Sequence, residues 1–291
     1  MKNSVKIYLK GMLMGICDII PGISGGTIAF ITGIYARLIN AVKSFSPSLI
    51  LDLFQYPKNK GKLIESIKKL DLIFLITLVA GIGTAFLIMS RVISFLLDRY
   101  FAFTISFFIG LILASSTVIY KKIENHKPKN ILFGFVGFGA GILLSVLSPV
   151  SIVPGLFYVF IGGFLAISAM FLPGISGAFI LLVLGIYEFM LKVLYDPFSN
   201  FYYLLVFILG AGLGAFTISR IISFLFRKDR CKTLYVLLGL VVGSLSIPLR
   251  RIYETAASFE AYNIALMVVF LLLGVFIVYF ITHLEKDVDQ T

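Results

Sequence analysis
Apolar residues gather into six long stretches, at 72–97, 101–120, 131–149, 202–226, 234–249 and 262–284, and most charged residues fall in the intervals between them. About 20 such residues carry a helix across the hydrocarbon core of a bilayer, so the pattern predicts six transmembrane helices. Two further apolar segments are interrupted. Residues 9–20 and 24–42 flank Pro21-Gly22, and residues 155–172 and 176–195 flank Pro173-Gly174. Proline removes a backbone donor and glycine weakens a helix. Each interrupted segment therefore predicts two helical arms joined by a turn.

The interruptions are copies of one motif. PGISGGTIAFITGIY at 21–35 and PGISGAFILLVLGIY at 173–187 share nine of fifteen residues at an offset of 152. SRVISFL at 90–96 and SRIISFL at 219–225 share six of seven at an offset of 129, which also aligns Gly81 with Gly210 and Gly110 with Gly239. The chain is read as a duplication. Residues 1–149 form a first repeat, with a hairpin at 9–42, a Lys-rich insertion at 43–70 that absorbs the 23-residue difference in offset, and three transmembrane helices. Residues 150–291 form a second repeat, with a hairpin at 155–195, three transmembrane helices and a short tail.

Charge sets the orientation. If both hairpins are re-entrant and the N-terminus is cytoplasmic, eighteen of the twenty-five Lys and Arg residues fall inside and four, Arg99, Lys192, Arg250 and Arg251, outside. A full crossing at the first hairpin would carry the lysines of 43–69 outside, against the positive-inside tendency. Three crossings per half is odd, so the second half is expected upside down relative to the first. The predicted fold is an all-α polytopic membrane protein of two inverted repeats, each a re-entrant helical hairpin plus three transmembrane helices. Inverted repeats place sites near the midplane where broken helices meet.

Composition agrees with this plan. The chain is 59% hydrophobic and 13% charged, against roughly 45–50% and ~25% in soluble domains. The net charge of +11 sits in loops between spans, which favours topology signals over nucleic-acid binding. The first apolar run lacks a signal-peptide cleavage pattern, so Met1 is expected to stay. Cys17 and Cys231 suggest no disulfide framework. Two histidines, no Walker A motif and no Cys/His cluster predict no cofactor, no metal and no ATP hydrolysis.

Each turn offers anion chemistry. Its small residues allow close backbone approach, and the helix after it begins with free N–H donors and a positive dipole end. The candidate phosphate contacts are Gly22, Ser24, Gly25, Gly26 and Thr27 in the first copy, and Gly174, Ser176 and Gly177 in the second. A helix-packing contact without ligand is the ordinary alternative. Arg91 and Arg220 occupy matching positions, each with serines at −1 and +3. An intramembrane arginine faces protein or a watery cavity more often than lipid, so both are candidate phosphate ligands, with snorkelling to headgroups as the alternative. Asp18 has Met170 as its repeat partner; it is a proton or cation site, a cap for the turn, or an arginine partner. Glu188 is a second candidate for ion coupling, or an interfacial residue.

At these residues the chain resembles a bacterial membrane family, formerly of unknown function, now linked to polyprenyl-phosphate translocation. The resemblance rests on GMLMGICDIIPGISGGTIAFITGIY at 11–35, the second PGISGA copy and both Ser-Arg-x-Ile-Ser stretches, and its pattern covers nearly the whole chain. It implies a plasma-membrane flippase with cytoplasmic termini, returning undecaprenyl phosphate from the outer to the cytoplasmic leaflet for cell-wall synthesis. Coupling to H+ or Na+ through Asp18 is the accompanying expectation. A transporter of a small anionic solute is the alternative. A lipid phosphatase or transferase is disfavoured because Asp18 with Ser24 is a poor base and nucleophile set. A scaffold for cell-wall enzymes predicts that Arg91 and Arg220 are dispensable.

Overall fold
A computed structural model describes residues 2–19, 24–45, 70–147, 154–255 and 261–289, and among these the fold is all-α. Gly22 and most of the Lys-rich insertion lie outside the described residues. In chain order the helices are α1 (Lys2–Asp18), α2 (Gly25–Ile31), α3 (Tyr35–Lys43), α4 (Leu72–Lys121), α5 (Pro128–Ser145), α6 (Leu156–Met170), α7 (Gly177–Val183), α8 (Tyr187–Tyr195), α9 (Phe201–Lys228), α10 (Arg230–Ser244), α11 (Ser246–Thr255) and α12 (Ala261–Asp289).

Six helical segments are long and apolar enough to cross a membrane: Leu72–Met89, Arg91–Lys121, Pro128–Ser145, Phe201–Lys228, Arg230–Tyr253 and Asn263–His283. They correspond to the six apolar stretches. The first two belong to α4, which kinks at Tyr100 (φ −134°, ψ 40°), at the gap between stretches 72–97 and 101–120. The kink breaks the helical ladder, and Thr104 Oγ donates to the carbonyls of Leu96 (3.2 Å) and Tyr100 (2.9 Å) there. A hydroxyl that takes up loosened carbonyls keeps polar backbone satisfied in an apolar setting.

The arms after the turns differ from the expected continuous helices at 24–42 and 176–195. Each is two helices bent sharply, α2 against α3 by 115° and α7 against α8 by 116°. Gly33 (φ 70°) and Gly185 (φ 68°) stand at the bends. Gly33 donates to Phe30 O and Ile34 to Ala29 O, while Gly185 donates to Leu182 O and Ile186 to Leu181 O. This pair of bonds around a left-handed glycine is the Schellman ending of a helix. Ile34 and Ile186, directly after the glycines, are buried and anchor the new direction. The Gly-Ile-Tyr that closes each motif copy is the signal for this second break.

Helices pack through close backbone approach. A Cβ on Gly11 would meet Leu78 O and one on Gly81 would meet Tyr8 O, joining α1 to α4. Gly163 with Phe207 O and Gly210 with Phe160 O join α6 to α9 at positions shifted by the same offsets of 152 and 129. Likewise α4 lies on α12 through Gly110 with Leu271 O and Gly274 with Phe107 O, and α10 lies on α5 through Gly239 with Gly134 O and Gly137 with Val236 O. Without a hydrophobic force between helices in lipid, such small-residue contacts supply the packing. Helices from opposite ends of the chain are thereby interlocked.

Candidate functional site
The two turns meet. The Gly174 amide, at a backbone φ of 89°, donates to Thr27 Oγ at 2.9 Å. Ser24 Oγ donates to Leu172 O (3.3 Å) and Tyr35 Oη to Phe171 O (2.8 Å). Leu172 O accepts from the Ile175 amide (3.2 Å) as well, and the first hairpin adds the Ser24 and Tyr35 hydroxyls as donors to the carbonyls past the end of α6. A Cβ on Gly26 would stand 2.7 Å from Met170 O, so glycine there permits the contact. Ser24, Gly26, Thr27 and Gly174 thus join one hairpin to the other, and their hydroxyls are engaged within the protein.

The helices after the turns are capped differently. At α2 the buried Asp18 carboxylate accepts from the Gly25 amide through Oδ1 at 2.7 Å, and Ser24 makes no cap bond of its own. At α7 the Ser176 hydroxyl accepts from the Phe179 amide at 3.4 Å. Met170, in the place of Asp18, packs where a Gly177 side chain would go. Asp18 therefore caps the turn, one of the three roles open to it from sequence. Its other oxygen, Oδ2, is buried and has no hydrogen-bond partner among the described residues.

Asp18 is among the residues that line a cavity of about 840 Å3, which also takes in Ser176, Gly177, Ala178, Met170, Tyr187 and Ser94. The rest of the lining is apolar, with Phe86, Leu97, Ile167, Leu181, Leu191 and Phe207 prominent. Large apolar pockets with few convergent polar groups are where ligands bind.

The arginines lie elsewhere. Arg91 is exposed, without a hydrogen-bond partner among the described residues; Ser94, one turn later, lines the cavity. Arg220 lies 3.4 Å from the Phe216 ring centroid and donates to Phe216 O (3.0 Å), Phe45 O (3.0 Å) and Lys43 O (3.4 Å), so it binds the carbonyl end of α3. Glu188 is exposed in the first turn of α8, where its charge suits the helix dipole.

A second cavity, of about 430 Å3, is lined by Tyr35, Asn40, Lys43, Lys122, Ser223, Arg227 and Arg230. In the sequence these cations read as topology signals, with Lys122 also a headgroup anchor matched by Arg251, because they come from three separate segments.

A profile of the undecaprenyl phosphate translocase-like family matches residues 14–264, which include both turns and both cavities' polar linings. The chain belongs to that family. Among curated proteins it is 40% identical over 243 residues to a polyprenyl-phosphate transporter of Vibrio cholerae, covering 84% of this chain and 77% of that protein. It is 29% identical over 265 residues to a polyprenyl-phosphate transporter of Staphylococcus aureus, covering 81% and 83%. No solved structure matches it. The sequence resemblance to a polyprenyl-phosphate translocating family is therefore upheld, and the protein is a multi-pass membrane member of it.

Proposed function
We propose that this protein transports a polyprenyl phosphate, undecaprenyl phosphate by the family's description, across the plasma membrane. In this reading the lipid is taken from the outer leaflet and delivered to the cytoplasmic leaflet for reuse in cell-wall synthesis. The observation that carries the proposal is the joined pair of broken helices beside a large apolar cavity lined in part by Asp18.

The lining favours a lipid over a small soluble anion. Phe86, Leu181, Leu191 and Phe207 are poor partners for a hydrated solute but suit prenyl units. A phosphate stripped of water and left unpaired in hydrocarbon would be prohibitively costly. Arg91, near the cavity at Ser94, meets the head group first; the Ser176-Gly177 turn receives it, and Arg220 lies on the exit side while the tail stays in lipid. Ser24, Gly26 and Thr27 hold the first turn against the second hairpin, Gly25 takes the Asp18 cap, and together they shape the passage. No nucleophile or metal is asked for, so the activity is transport without catalysis.

Asp18 supplies the coupling. An ionised carboxylate at the cavity wall repels an incoming phosphate. A proton on Oδ2 removes that repulsion and converts the oxygen to a donor. Phosphate and proton therefore enter together, which couples movement to the proton gradient. Glu188, at the surface, is the weaker candidate for such a role.

The repeats are proposed to be inverted, with N- and C-termini in the cytoplasm and a division at residues 149–150. The reciprocal pairings of α4 with α12 and of α10 with α5 support this, because exchange of equivalent helices is what a pseudo-two-fold axis generates. Rocking of one half against the other then exposes the site to each leaflet in turn.

The test is translocation of a fluorescent polyprenyl phosphate between leaflets of vesicles containing the purified protein, with the matching polyprenol as control. Phosphate-dependent movement that responds to a proton or sodium gradient is expected. Equal movement of the neutral polyprenol, or indifference to both gradients, would count against the transport and the coupling readings respectively.

A further inference from the structure
The two cavities are related by the internal repeat. Tyr35 and Tyr187, Ile39 and Leu191, Ser223 and Ser94, and Phe226 and Leu97 are pairs at the offsets of 152 and 129, with one member lining each cavity. Their charge differs completely. The smaller cavity holds Lys43, Lys122, Arg227 and Arg230, and among the described residues no carboxylate lines it. At the places matching Lys43, Arg227 and Arg230, the chain has Tyr195, Asp98 and Phe101. The shared fold accommodates neutral or acidic residues at these three places, so those three cations are not demanded by packing, while Lys122 is matched by Arg251.

Two of these cations are held in place at the rim. Lys43 Nζ donates to Ser223 Oγ at 2.9 Å, and Lys122 Nζ donates to Phe30 O at 3.2 Å while lying 4.9 Å from the Phe30 ring centroid. Arg227 is exposed and makes no hydrogen bond among the described residues. Arg230 pairs with Glu124 at 3.2 Å, but both side chains are more than half exposed, so solvent screens that pair strongly. Like charges gathered around one concave space repel one another, and a dianion placed among them relieves the repulsion. Guanidinium groups grip a phosphate with paired hydrogen bonds, and ammonium groups add point charges.

We infer that the cavity bounded by Lys43, Lys122, Arg227 and Arg230 is a second binding site, for a phosphate monoester. It receives the head group on the side that the charge pattern assigns to the cytoplasm. That the monoester is a lipid rests on the transport reading above; the anion site does not. The difference between the cavities gives net movement a thermodynamic direction only through the coupled proton, but it gives the delivered head group a place to wait before release.

The experiment is calorimetric titration of the purified full-length protein in detergent with farnesyl phosphate, farnesol and inorganic phosphate. Farnesyl phosphate is expected to bind in a salt-dependent manner and farnesol at least tenfold more weakly. Arg227→Gln and Lys43→Gln are each expected to weaken farnesyl phosphate at least tenfold, whereas Asp98→Asn, at the matching place by the other cavity, leaves it unchanged. Inorganic phosphate competing as well as farnesyl phosphate assigns the site to the head group alone; failure to compete adds a tail contribution. If Lys43→Gln does not fold, Arg227→Gln decides, because that side chain has no bond to lose. Affinity within twofold of wild type in a folded Arg227→Gln variant overturns the site. Vesicle transport with such unchanged affinity leaves the transport reading standing without this site. Arg227-dependent phosphate binding in a protein that moves no lipid leaves the site standing without the transport reading.

Discussion
The first hairpin and the second share a backbone and differ in who satisfies it. Both bend by nearly the same angle, 115° and 116°, at glycines of the same handedness. In the first, charged groups serve both ends of α2: Asp18 takes the Gly25 amide, and Lys10 and Lys122 donate to the carbonyls of Thr32 (2.6 Å) and Phe30 (3.2 Å). In the second, neutral groups serve α7, with Ser176 at its start and Tyr158 Oη donating to Leu184 O at 3.0 Å. Anions at the N-terminus and cations at the C-terminus suit the helix dipole. The two hairpins keep the same bends, which the backbone demands, and differ in the polar groups that satisfy their helix ends.

The comparison breaks most severely if a shared turn is lost. Gly174→Ala forces a side chain onto a φ of 89° with its Cβ 2.7 Å from Val241 Cα. Left-handed strain of roughly 1–2 kcal/mol and overpacking of about 1–3 kcal/mol together predict a large loss of thermal stability in detergent. Gly83→Ala, whose Cβ meets nothing within 4 Å, should melt like the wild type; similar melts for both variants would refute the close packing of the second turn against α10.

Next comes the bond between the hairpins. Thr27→Val keeps the shape but leaves the buried Gly174 amide without its acceptor, at a cost of about 1–3 kcal/mol. An unshifted denaturation curve would mean that the turns do not need this bond.

Asp18→Met makes the first hairpin resemble the second. The cap on α2 is lost, which costs about 1 kcal/mol, whereas Asp18→Asn keeps an acceptor for Gly25 and should stay close to wild type in stability. Equal destabilisation by both would show that Oδ1 is not the cap.

The smallest effect belongs to a further charged contact of the first half. Arg37 donates to Asp71 at 2.6 and 3.1 Å, and this hydrogen bonding holds the Asp71 carboxyl below the ordinary carboxylate range. The matching positions are Phe189 and Asn200. A carboxyl with a lowered native value stabilises fully above its unfolded value, about 3.9, and loses that contribution as the pH falls through the native one. Both side chains are over a third exposed, so the pair contributes roughly 0.2–1 kcal/mol. Arg37→Gln should therefore lower stability slightly at neutral pH and reduce its further loss below about pH 4; an identical acid profile would remove the pair from the account.

Much of this was legible in the sequence. The six apolar stretches gave the spans, and even the kink at Tyr100 falls at the gap between two of them. The second break in each hairpin was written in the repeated Gly-Ile-Tyr, but apolar periodicity through 24–42 and 176–195 concealed it. A Schellman ending depends on one glycine's φ, which hydropathy does not register. The joining of Thr27 to Gly174 was beyond sequence, since residues 147 apart give no pattern of contact. Asp18 was singled out by its mismatch with Met170, and that asymmetry led to the cavity. Arg220 stood out for the opposite reason, its match with Arg91, yet folding puts it on the end of α3. The basic cavity escaped notice because Lys43, Lys122, Arg227 and Arg230 converge only in three dimensions.

The central claim is that the free oxygen of Asp18 carries the proton that accompanies the phosphate. The direct measurement is leaflet-to-leaflet movement of polyprenyl phosphate in vesicles containing wild type or Asp18→Asn, with and without an imposed pH gradient. The account predicts that wild type accelerates when protons flow with the lipid, and that the folded Asn variant is slow and indifferent to the gradient. An Asn variant that transports at the wild-type rate with the same gradient response would contradict it.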